Sequence, residues 1–468
     1  MKKSADITLI NFILNAPRLW LPMASVVLMA SLRKKGFRVD FRDFQMETPN
    51  SYIDLDALEA NLKNASNIIA FSCYSHALPY VLLLSRRLKI RDPHKKIILG
   101  GIGASVIAEE LLDAFEFVDA VAIGDGQDSL AEFVECILNG GEDYGHIAGI
   151  AWHNGERTQV NPPRKAGNIV KADLIPVLAE MPLERYGVAP IVTGRGCPFK
   201  CGFCSARVMD PVYQQRDLEE MKEEISFLNK REDCPENIYL LDEAFITDRD
   251  RIYQFLDFSG QEQFRQRHFS CYGRLNRVEE SLMRDMTRNH FSSILYGFES
   301  GSNRILQKIA KGFTVEEAIE KVKLSKKYFQ IVTASFVYGY PFETKDDFLE
   351  SLYCRWLLHN MDVNIHFNLL SPLPGTGFYK EYGHDLVFSK HLISKQCAPY
   401  VTNNQKNLNT IIDMVIAYPH IFPNYYHFRT EAVEFSHKRA LFLDETLEKN
   451  FFSFKERECQ EACHADKG

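Results

Sequence analysis

Three cysteines in one short stretch are the residues best suited to chemistry. Cys197, Cys201 and Cys204 stand at spacings of four and three in the segment from Thr193 to Cys204. Thiolate sulfur is a soft donor that suits zinc or iron–sulfur clusters. A structural zinc ion is normally closed by four ligands, whereas this stretch supplies three. The spacing therefore predicts a metal centre that leaves one coordination position open.

Strand-like and helix-like segments alternate on both sides of the cysteines. This alternation predicts parallel sheets with helices on their faces, an α/β fold. The first five strands are predicted at 7–14, 39–44, 67–74, 95–102 and 119–126, and six more at 189–194, 237–242, 269–274, 293–297, 332–338 and 364–370.

Four regions are predicted from this pattern. Residues 1–145 form a Rossmann-like parallel sheet domain, and 146–188 form a connector with a hairpin around Asn154 and Gly155, a strong turn signal. Six strand–helix repeats occupy 189–385. A mainly helical cap that packs on them, followed by a tail, occupies 386–468.

The bulk composition is that of a globular protein. A chain of 468 residues suggests two or three domains, and 46% hydrophobic with 25% charged residues is ordinary for such a protein. The net charge of −7 argues against a dominant nucleic-acid surface. No apolar run is long enough to predict a membrane span. Eleven cysteines without a disulfide-like pattern favour a reducing compartment, which predicts a cytoplasmic protein.

The cysteine spacing, with Phe203 just before the last cysteine, resembles the radical S-adenosylmethionine (SAM) superfamily. The resemblance implies that the three cysteines hold a [4Fe-4S] cluster, that the amino and carboxylate groups of SAM chelate the fourth iron, and that Phe203 is a cofactor-binding residue. It also implies that the six repeats form a partial (β/α)6 TIM-type barrel. Barrel chemistry lies at the carboxyl ends of the strands, and the cysteines follow the first strand.

Residues at the later strand ends resemble the family's SAM-binding pattern. Asp242 and Glu243 follow the second strand and resemble the acidic residues that bind the SAM ammonium, the natural partner of a carboxylate. Arg274 follows the third strand and is expected to face the SAM carboxylate or the substrate. Glu299 follows the fourth strand and resembles the residue that hydrogen-bonds the SAM ribose. Ser335, in the fifth, is expected to contact the ribose or the carboxylate.

The first domain resembles the cobalamin-binding (B12-binding) domain that precedes the radical SAM domain in one large subfamily. The likeness lies in the glycine turns at 99–101 and 123–126. Such turns suit a large ligand, because ligands bind at the carboxyl ends of parallel strands and glycine permits close approach of the backbone. The resemblance implies that cobalamin contacts Ser72, Gly100, Gly101, Gly124, Asp125 and Gly126.

Two departures keep a second interpretation of this domain open. The Asp-x-His-x-x-Gly signature that supplies a cobalt-ligating histidine is absent, and Gln127 stands where the subfamily usually has an acidic residue. A domain that has lost its cofactor and only packs on the barrel is the alternative. The loop histidine His76 is either a ligand or, more simply, a structural residue. In the tail, Cys459 and Cys463 could belong to an auxiliary cluster or to an ordinary solvated segment.

The function that the resemblance implies is reductive cleavage of SAM to a 5′-deoxyadenosyl radical, followed by cobalamin-dependent C-methylation of a peptide or small molecule. The electron donor would be a flavodoxin or a ferredoxin. One alternative is a radical SAM epimerase, cyclase or rearrangement enzyme with a vestigial B12-type domain. The non-enzyme alternative is a cobalamin- or metal-binding sensor with zinc at the three cysteines.

Overall fold

The computed structural model describes residues 5–13, 19–47, 53–164, 169–210, 212–243, 245–394, 397–398 and 407–441. Two large sheets dominate these residues. The tail cysteines Cys459 and Cys463 lie outside the described residues, so their predicted alternatives stay predictions.

The first sheet has seven strands in the order β2-β1-β3-β4-β5-β6-β7. The first five strands run parallel, and β1, β3 and β5 are buried along almost their whole length, as parallel strands covered on both faces are. The strands are β1 Ile7–Phe12, β2 Val39–Asp43, β3 Ile68–Cys73, β4 Lys96–Gly100, β5 Ala120–Ala122, β6 Ile150–His153 and β7 Thr158–Val160. The helices are α1 Met23–Lys34, α2 Phe44–Glu47, α3 Leu55–Asn61, α4 Leu78–Arg91, α5 Ile102–Ser105, α6 Ala108–Ala114 and α7 Gln127–Leu138.

The predicted hairpin is present and extends this first sheet. The Asn154 carboxamide oxygen accepts the backbone N–H groups of Glu156 and Arg157, each at 3.0 Å, which fixes the turn between β6 and β7. Strand β6 then pairs antiparallel with β5. The sheet therefore continues through the region predicted as a connector, and the boundary at 145 stays a prediction.

The second sheet has six parallel strands in the order β15-β14-β13-β12-β11-β8. Because β8 and β15 stand at opposite ends of this order, the sheet is an incomplete barrel. The strands, with the short antiparallel pair β9 and β10 between the first two, are β8 Ala189–Ile191, β9 Gly194–Arg195, β10 Gln214–Gln215, β11 Asn237–Leu240, β12 His268–Gly273, β13 Phe291–Glu299, β14 Ile331–Tyr338 and β15 Asn364–Leu369. The helices are α8 Ile175–Glu180, α9 Ala206–Met209, α10 Leu218–Lys230, α11 Arg249–Ser259, α12 Glu280–Arg288, α13 Asn303–Lys308, α14 Val315–Lys326, α15 Lys345–His359 and α16 Gly377–Tyr382.

The two parallel sheets confirm the predicted α/β fold class, and each of the eleven predicted strands coincides with a strand of the structure. Among the described residues, no helix combines the length and the apolar character needed to cross a membrane.

The C-terminal region bridges the two domains. An antiparallel pair, β16 Leu386–Phe388 and β17 Tyr426–Phe428, accompanies helices α17 Leu408–Ala417 and α18 Glu431–Leu441. Helix α17 packs on α4 of the first domain, whereas α18 packs on α15 of the barrel. The expectation of a cap on the barrel therefore holds only for α18, because the apolar face of α17 is buried against the first domain.

Candidate active site

The loop that carries the three cysteines begins at a turn held by a buried carboxylate. We call this stretch, between β9 and β10, the cysteine loop. Just before it, the backbone N–H groups of Thr193 and Gly194 donate to Oδ1 of Asp242 at 3.0 and 2.9 Å, and the Thr193 hydroxyl donates to Oδ2. Asp242 stands two residues after the end of β11, so it ties the end of β8 to the neighbouring strand. Both of its oxygens are therefore used within the protein.

A buried ion pair fixes the other end of the loop. Arg216 follows β10, and its guanidinium forms a two-pronged pair with Glu224 of α10, where both side chains are 4% exposed. The Arg216 backbone N–H donates to the Thr193 carbonyl at 3.0 Å, and Arg251 donates to the same oxygen at 3.0 Å. The two ends of the cysteine loop are thus fastened to one another and to the barrel.

The three thiols lie half-buried within this loop. The Cys204 backbone N–H donates to the Cys201 carbonyl at 3.2 Å, which folds the second half of the motif into a turn. Burial raises the pKa values of Cys197 and Cys204, and the neighbouring Cys201 raises both further. Among the described residues, no three His, Cys, Asp or Glu side chains are placed to share a single metal ion. A four-iron cluster does not require such a group, because each thiolate binds a different iron.

Aromatic side chains from the barrel support the tip of the cysteine loop. The ring of Phe203 lies 5.7 Å from the ring of Tyr340 and 6.5 Å from that of Phe378. The Phe378 backbone N–H donates to the Gly202 carbonyl at 3.1 Å, and a Cβ at Gly202 would lie 2.6 Å from the Phe378 ring. Phe203, expected to be a cofactor-binding residue, thus packs against the loop that follows β14 and against α16.

Glu343, on the loop beside Tyr340, is a buried carboxyl group with a strongly raised pKa. Its Oε2 accepts the Gly339 N–H and, at 3.2 Å, the Tyr340 N–H. Burial raises the pKa from 4.5 to about 8. Since the folded protein then holds a proton that the unfolded chain releases, the free energy of unfolding should fall as the pH rises from about 4.5 to about 8.

We expect Glu343→Gln to make this fall shallower, because glutamine keeps an accepting oxygen and carries no charge, while Glu243, whose pKa is raised to about 7, keeps its own contribution. Urea unfolding at several pH values between 5 and 8 measures the effect. Glu320→Gln, at an exposed position on α14, is the matched control and should keep the wild-type slope. A slope that is the same in Glu343→Gln and the wild type would contradict this role.

Glu243 is the acidic residue that faces open space. It adjoins Asp242 but lines a cavity between the domains, together with Cys204. Although its side chain reaches solvent there, desolvation by the surrounding protein, followed by the Asp210 and Asp242 carboxylates, raises its pKa to about 7. Of the predicted acidic pair, Glu243 is therefore the side chain available to a ligand.

Arg274 lies against the cysteine loop. Its Nη1 donates to the Cys201 sulfur at 3.7 Å, and its Nη2 donates to the carbonyls of Ala310 and Lys311. The guanidinium lies 3.8 Å from the centroid of the Phe199 ring. These contacts hold it beside a cysteine, so the predicted contact with the SAM carboxylate or the substrate stays a prediction.

Glu299 ends β13, and Ser335 lies within the neighbouring strand β14. Glu299 has a φ of +73° at an irregularity between β13 and β14, and its Oε1 accepts from Lys311 Nζ at 3.1 Å. Both side chains of this pair are nearly buried. Ser335 is half-buried and lies opposite Gly297 in the register. The predicted contact of Glu299 with the ribose, and that of Ser335 with the ribose or the carboxylate, stay predictions.

The six residues predicted to contact cobalamin come together at one edge of the first sheet. They line a hollow of about 40 Å³ at the carboxyl ends of β3, β4 and β5. Gly101 and Gly124 both have a φ of +86°, which glycine adopts readily and other residues do not. The residues are Ser72, Gly100, Gly101, Gly124, Asp125 and Gly126.

The shared φ of Gly101 and Gly124 permits a matched test of close backbone approach. A Cβ at Gly101 would lie 2.7 Å from the Cys73 carbonyl oxygen, whereas a Cβ at Gly124 would meet no atom within 4 Å. We therefore expect Gly101→Ala to lower the free energy of unfolding by about 1–3 kcal/mol more than Gly124→Ala does. Urea unfolding of the two variants measures the difference, and equal losses would contradict it.

The hollow shares Ser72, Gly101, Gly124 and Asp125 with the lining of a cavity of about 760 Å³ between the two domains. The barrel contributes Gly194, Arg195, Cys204 and Glu243 to the same lining. Arg195 spans the cavity edge, with its guanidinium 3.0 Å from Asp210 and 3.9 Å from Asp125. The structure thus brings part of the cysteine motif and part of the carboxyl edge of the first sheet to one space.

The structure also places residues at the site that the sequence analysis did not select. Arg195 lies within the cysteine-containing segment, where its positive charge could have marked it as a candidate for the site. Lys311 lies three residues before Thr314, which forms the capping box of α14. Because the capping box explains this segment structurally, the sequence offered no reason to expect the pair between Lys311 and Glu299. The backbone carbonyl of His76 accepts the Tyr425 hydroxyl at 2.6 Å, and burial lowers the pKa of its imidazole to about 4. Neither observation separates a ligand from a structural residue, so both predicted roles of His76 stay predictions.

Family profiles match both domains. The B12 binding domain matches residues 12–134, and the radical SAM superfamily matches residues 191–352. The chain therefore carries a B12-binding domain followed by a radical SAM domain, which confirms the resemblance found in the sequence. The class that this fold and site define is the B12-binding-domain-containing radical SAM enzymes.

Three known proteins are similar to this chain. An uncharacterized methyltransferase of Pyrococcus horikoshii is 27% identical over 321 residues, which cover 67% of this chain and 69% of the relative. The radical SAM methyltransferase TsrM of Kitasatospora setae, solved with cobalamin and a [4Fe-4S] cluster, superposes with a TM-score of 0.63 at 17% identity, covering 82% of this chain and 75% of that one. The cobalamin-dependent radical enzyme OxsB, solved with aqua-cobalamin and SAM, superposes with a TM-score of 0.64 at 16% identity, covering 97% and 71%. At these identities the two structures show a common fold.

The residues present fit the cofactors that the two domains imply. A radical SAM domain implies a [4Fe-4S] cluster and SAM, and a B12-binding domain implies cobalamin. Three thiols on one anchored loop suit a cluster, and the buried Arg274 Nε, which has no hydrogen-bond partner among the described residues, suits an added anionic group. At the carboxyl edge of the first sheet, which we call the glycine edge, Gly101 and Gly124 line the interdomain cavity without side chains, so a large ligand can approach the backbone closely.

Proposed function

We propose that this chain is a cobalamin-dependent radical SAM enzyme that methylates a carbon atom of a peptide or small-molecule substrate. The observation that carries the proposal is the shared interdomain cavity. Cys204 and Glu243 reach it from the barrel, and Gly124 and Asp125 reach it from the first domain. Two cofactor sites that open into one space suit a reaction in which both act on one substrate.

When bound, the cluster and SAM supply a 5′-deoxyadenosyl radical for hydrogen abstraction, and cobalamin supplies the methyl group. In the proposal, Cys197, Cys201 and Cys204 hold the cluster. Glu243 binds the SAM ammonium, because it is the carboxylate at this strand end that faces the cavity. Asp242 instead positions the cysteine loop through Thr193 and Gly194.

The walls of the cavity also protect the reaction. Apolar side chains from both domains, including Trp20, Val27, Val192 and Met209, line it. Such walls exclude water from a reactive radical and leave positioning to the few polar groups. Among those groups, Arg195 lies 3.0 Å from Asp210 of the cysteine loop and 3.9 Å from Asp125 of the first domain, and thus links the two cofactor sites electrostatically.

The cell must supply one electron for each cleavage of SAM. We infer a flavodoxin or a ferredoxin as the donor, since both are low-potential one-electron carriers. None of the described cysteines forms a disulfide, which supports a reducing compartment such as the cytoplasm.

The experiment that tests this function follows two products of SAM. Protein is purified without oxygen, supplied with iron, sulfide and hydroxocobalamin, freed of unbound ligand, reduced and given SAM. Methyl transfer to bound cobalamin predicts S-adenosylhomocysteine that depends on cobalamin, and radical chemistry predicts 5′-deoxyadenosine. An epimerase, cyclase or rearrangement enzyme with a vestigial first domain would give only 5′-deoxyadenosine and retain no cobalamin. A zinc-containing sensor would give neither product.

The matched variant for this experiment is Cys201→Ala. It should lose 5′-deoxyadenosine formation but still retain cobalamin, because Cys201 lies in the barrel while the glycine edge belongs to the first sheet. Loss of cobalamin from this variant in folded protein would contradict two separate sites.

A further inference from the structure

Arg274 is a buried cation in contact with a predicted cluster ligand. It follows β12 and is only 8% exposed. One guanidinium nitrogen donates to the Cys201 sulfur at 3.7 Å, the other donates to two backbone carbonyls, and the flat face lies on Phe199. The guanidinium is therefore fixed in orientation from three sides.

The positive charge of Arg274 has no carboxylate partner. In the part of the chain that the structure describes, its guanidinium forms no ion pair with Asp or Glu, and its buried Nε has no hydrogen-bond partner. A buried charge without a counter-charge is costly. The Cys201 sulfur is the anion-forming group that its guanidinium contacts, at 3.7 Å, so the charge is compensated when that thiol is a thiolate bound to iron.

We propose that Arg274 sets the reduction potential of the cluster, through its hydrogen bond to the Cys201 sulfur. The inference rests on the proposed function, since it requires a cluster on Cys197, Cys201 and Cys204. Reduction adds one electron, and hence one negative charge, to the cluster. A neighbouring cation and a hydrogen bond to a ligand sulfur stabilise the reduced form more than the oxidised form. Arg274 thereby raises the reduction potential.

This role differs from that of a SAM or substrate contact. Both terminal nitrogens and one face of the Arg274 guanidinium are already engaged within the protein. The cation acts on the cluster before any substrate binds, so its effect is measurable in the absence of SAM.

The test is a redox titration of reconstituted protein without SAM, followed by visible absorption and electron paramagnetic resonance. The variants are Arg274→Gln and Arg274→Lys. Arg277→Gln is the matched control, because Arg277 is exposed and its guanidinium lies 5.9 Å from the same Phe199 ring.

At the potential that half-reduces the wild type, we expect Arg274→Gln to raise the ratio of oxidised to reduced cluster about tenfold, a shift of about 59 mV to more negative potential for one electron. Arg274→Lys should shift it less, because lysine keeps the charge but loses the planar fork. Arg277→Gln should titrate as the wild type does.

The outcomes separate this inference from the proposed function. A wild-type protein that takes up no iron and sulfide overturns the proposed function and the inference with it. A wild-type cluster whose potential is unchanged in Arg274→Gln overturns only the inference. Loss of the cluster from both Arg274 variants, with circular dichroism unchanged, also overturns it, since Arg274 would then serve cluster assembly.

Discussion

Replacing Cys201 with alanine is expected to remove the iron–sulfur cluster and to reduce 5′-deoxyadenosine formation to the level of a control without enzyme. The reason is that three thiolates are the whole ligand set of the cysteine loop, and two cannot hold a cluster while an open iron is kept for SAM. Iron and sulfide analysis, visible absorption and product chromatography measure the loss. Cys197→Ala and Cys204→Ala should behave in the same way.

The control for these variants is Cys136→Ser. Cys136 lies in α7, is half-buried like the loop cysteines, and its thiol donates to the Asp143 carbonyl at 3.6 Å. It should retain the cluster and full SAM cleavage. Retention of a complete cluster in any of the three alanine variants would contradict the assignment of the ligands.

Asp242→Ala is expected to lower the free energy of unfolding by roughly 2–5 kcal/mol, because it leaves two buried backbone N–H groups without acceptors. Those groups belong to Thr193 and Gly194, directly before the cysteine loop. The variant should also take up less iron, since the start of the loop is released from β11. Urea unfolding and iron analysis measure the two effects.

Asp242→Asn distinguishes a positioning role from direct contact with SAM. Its carboxamide oxygen can accept both backbone N–H groups, and its NH2 can donate to the Thr193 hydroxyl, so stability and iron content should recover most of the way. If Asp242 instead bound the SAM ammonium, asparagine would weaken SAM binding as strongly as alanine does, with stability little changed. That pattern would contradict the structure-based role, whereas Glu243→Gln should weaken SAM binding without loss of iron.

Much of the fold was predictable because each strand is a short apolar run between turn signals. Burial on both faces makes parallel strands such as β1 and β3 continuously apolar, and that property is visible in the chain itself. The cysteine motif was also predictable from the chain itself, because its three cysteines are close together in the sequence.

The contacts that join distant parts of the chain were not predictable. The sequence shows two carboxylates after β11. It does not show that two backbone N–H groups after β8 bind Asp242, so that Glu243 is the one that faces the cavity. Arg195 and Asp125 lie in different domains and meet only through the fold. Likewise, the apolar pattern of α17 showed that one face is buried, but not that the first domain covers it.

The most direct test of the account is to measure iron, sulfide and 5′-deoxyadenosine in one anaerobically prepared, reduced sample given SAM. The account predicts about four irons and four sulfides per chain, and 5′-deoxyadenosine that appears only with the reductant. Zinc in place of iron, with no sulfide and no cleavage of SAM, would contradict it.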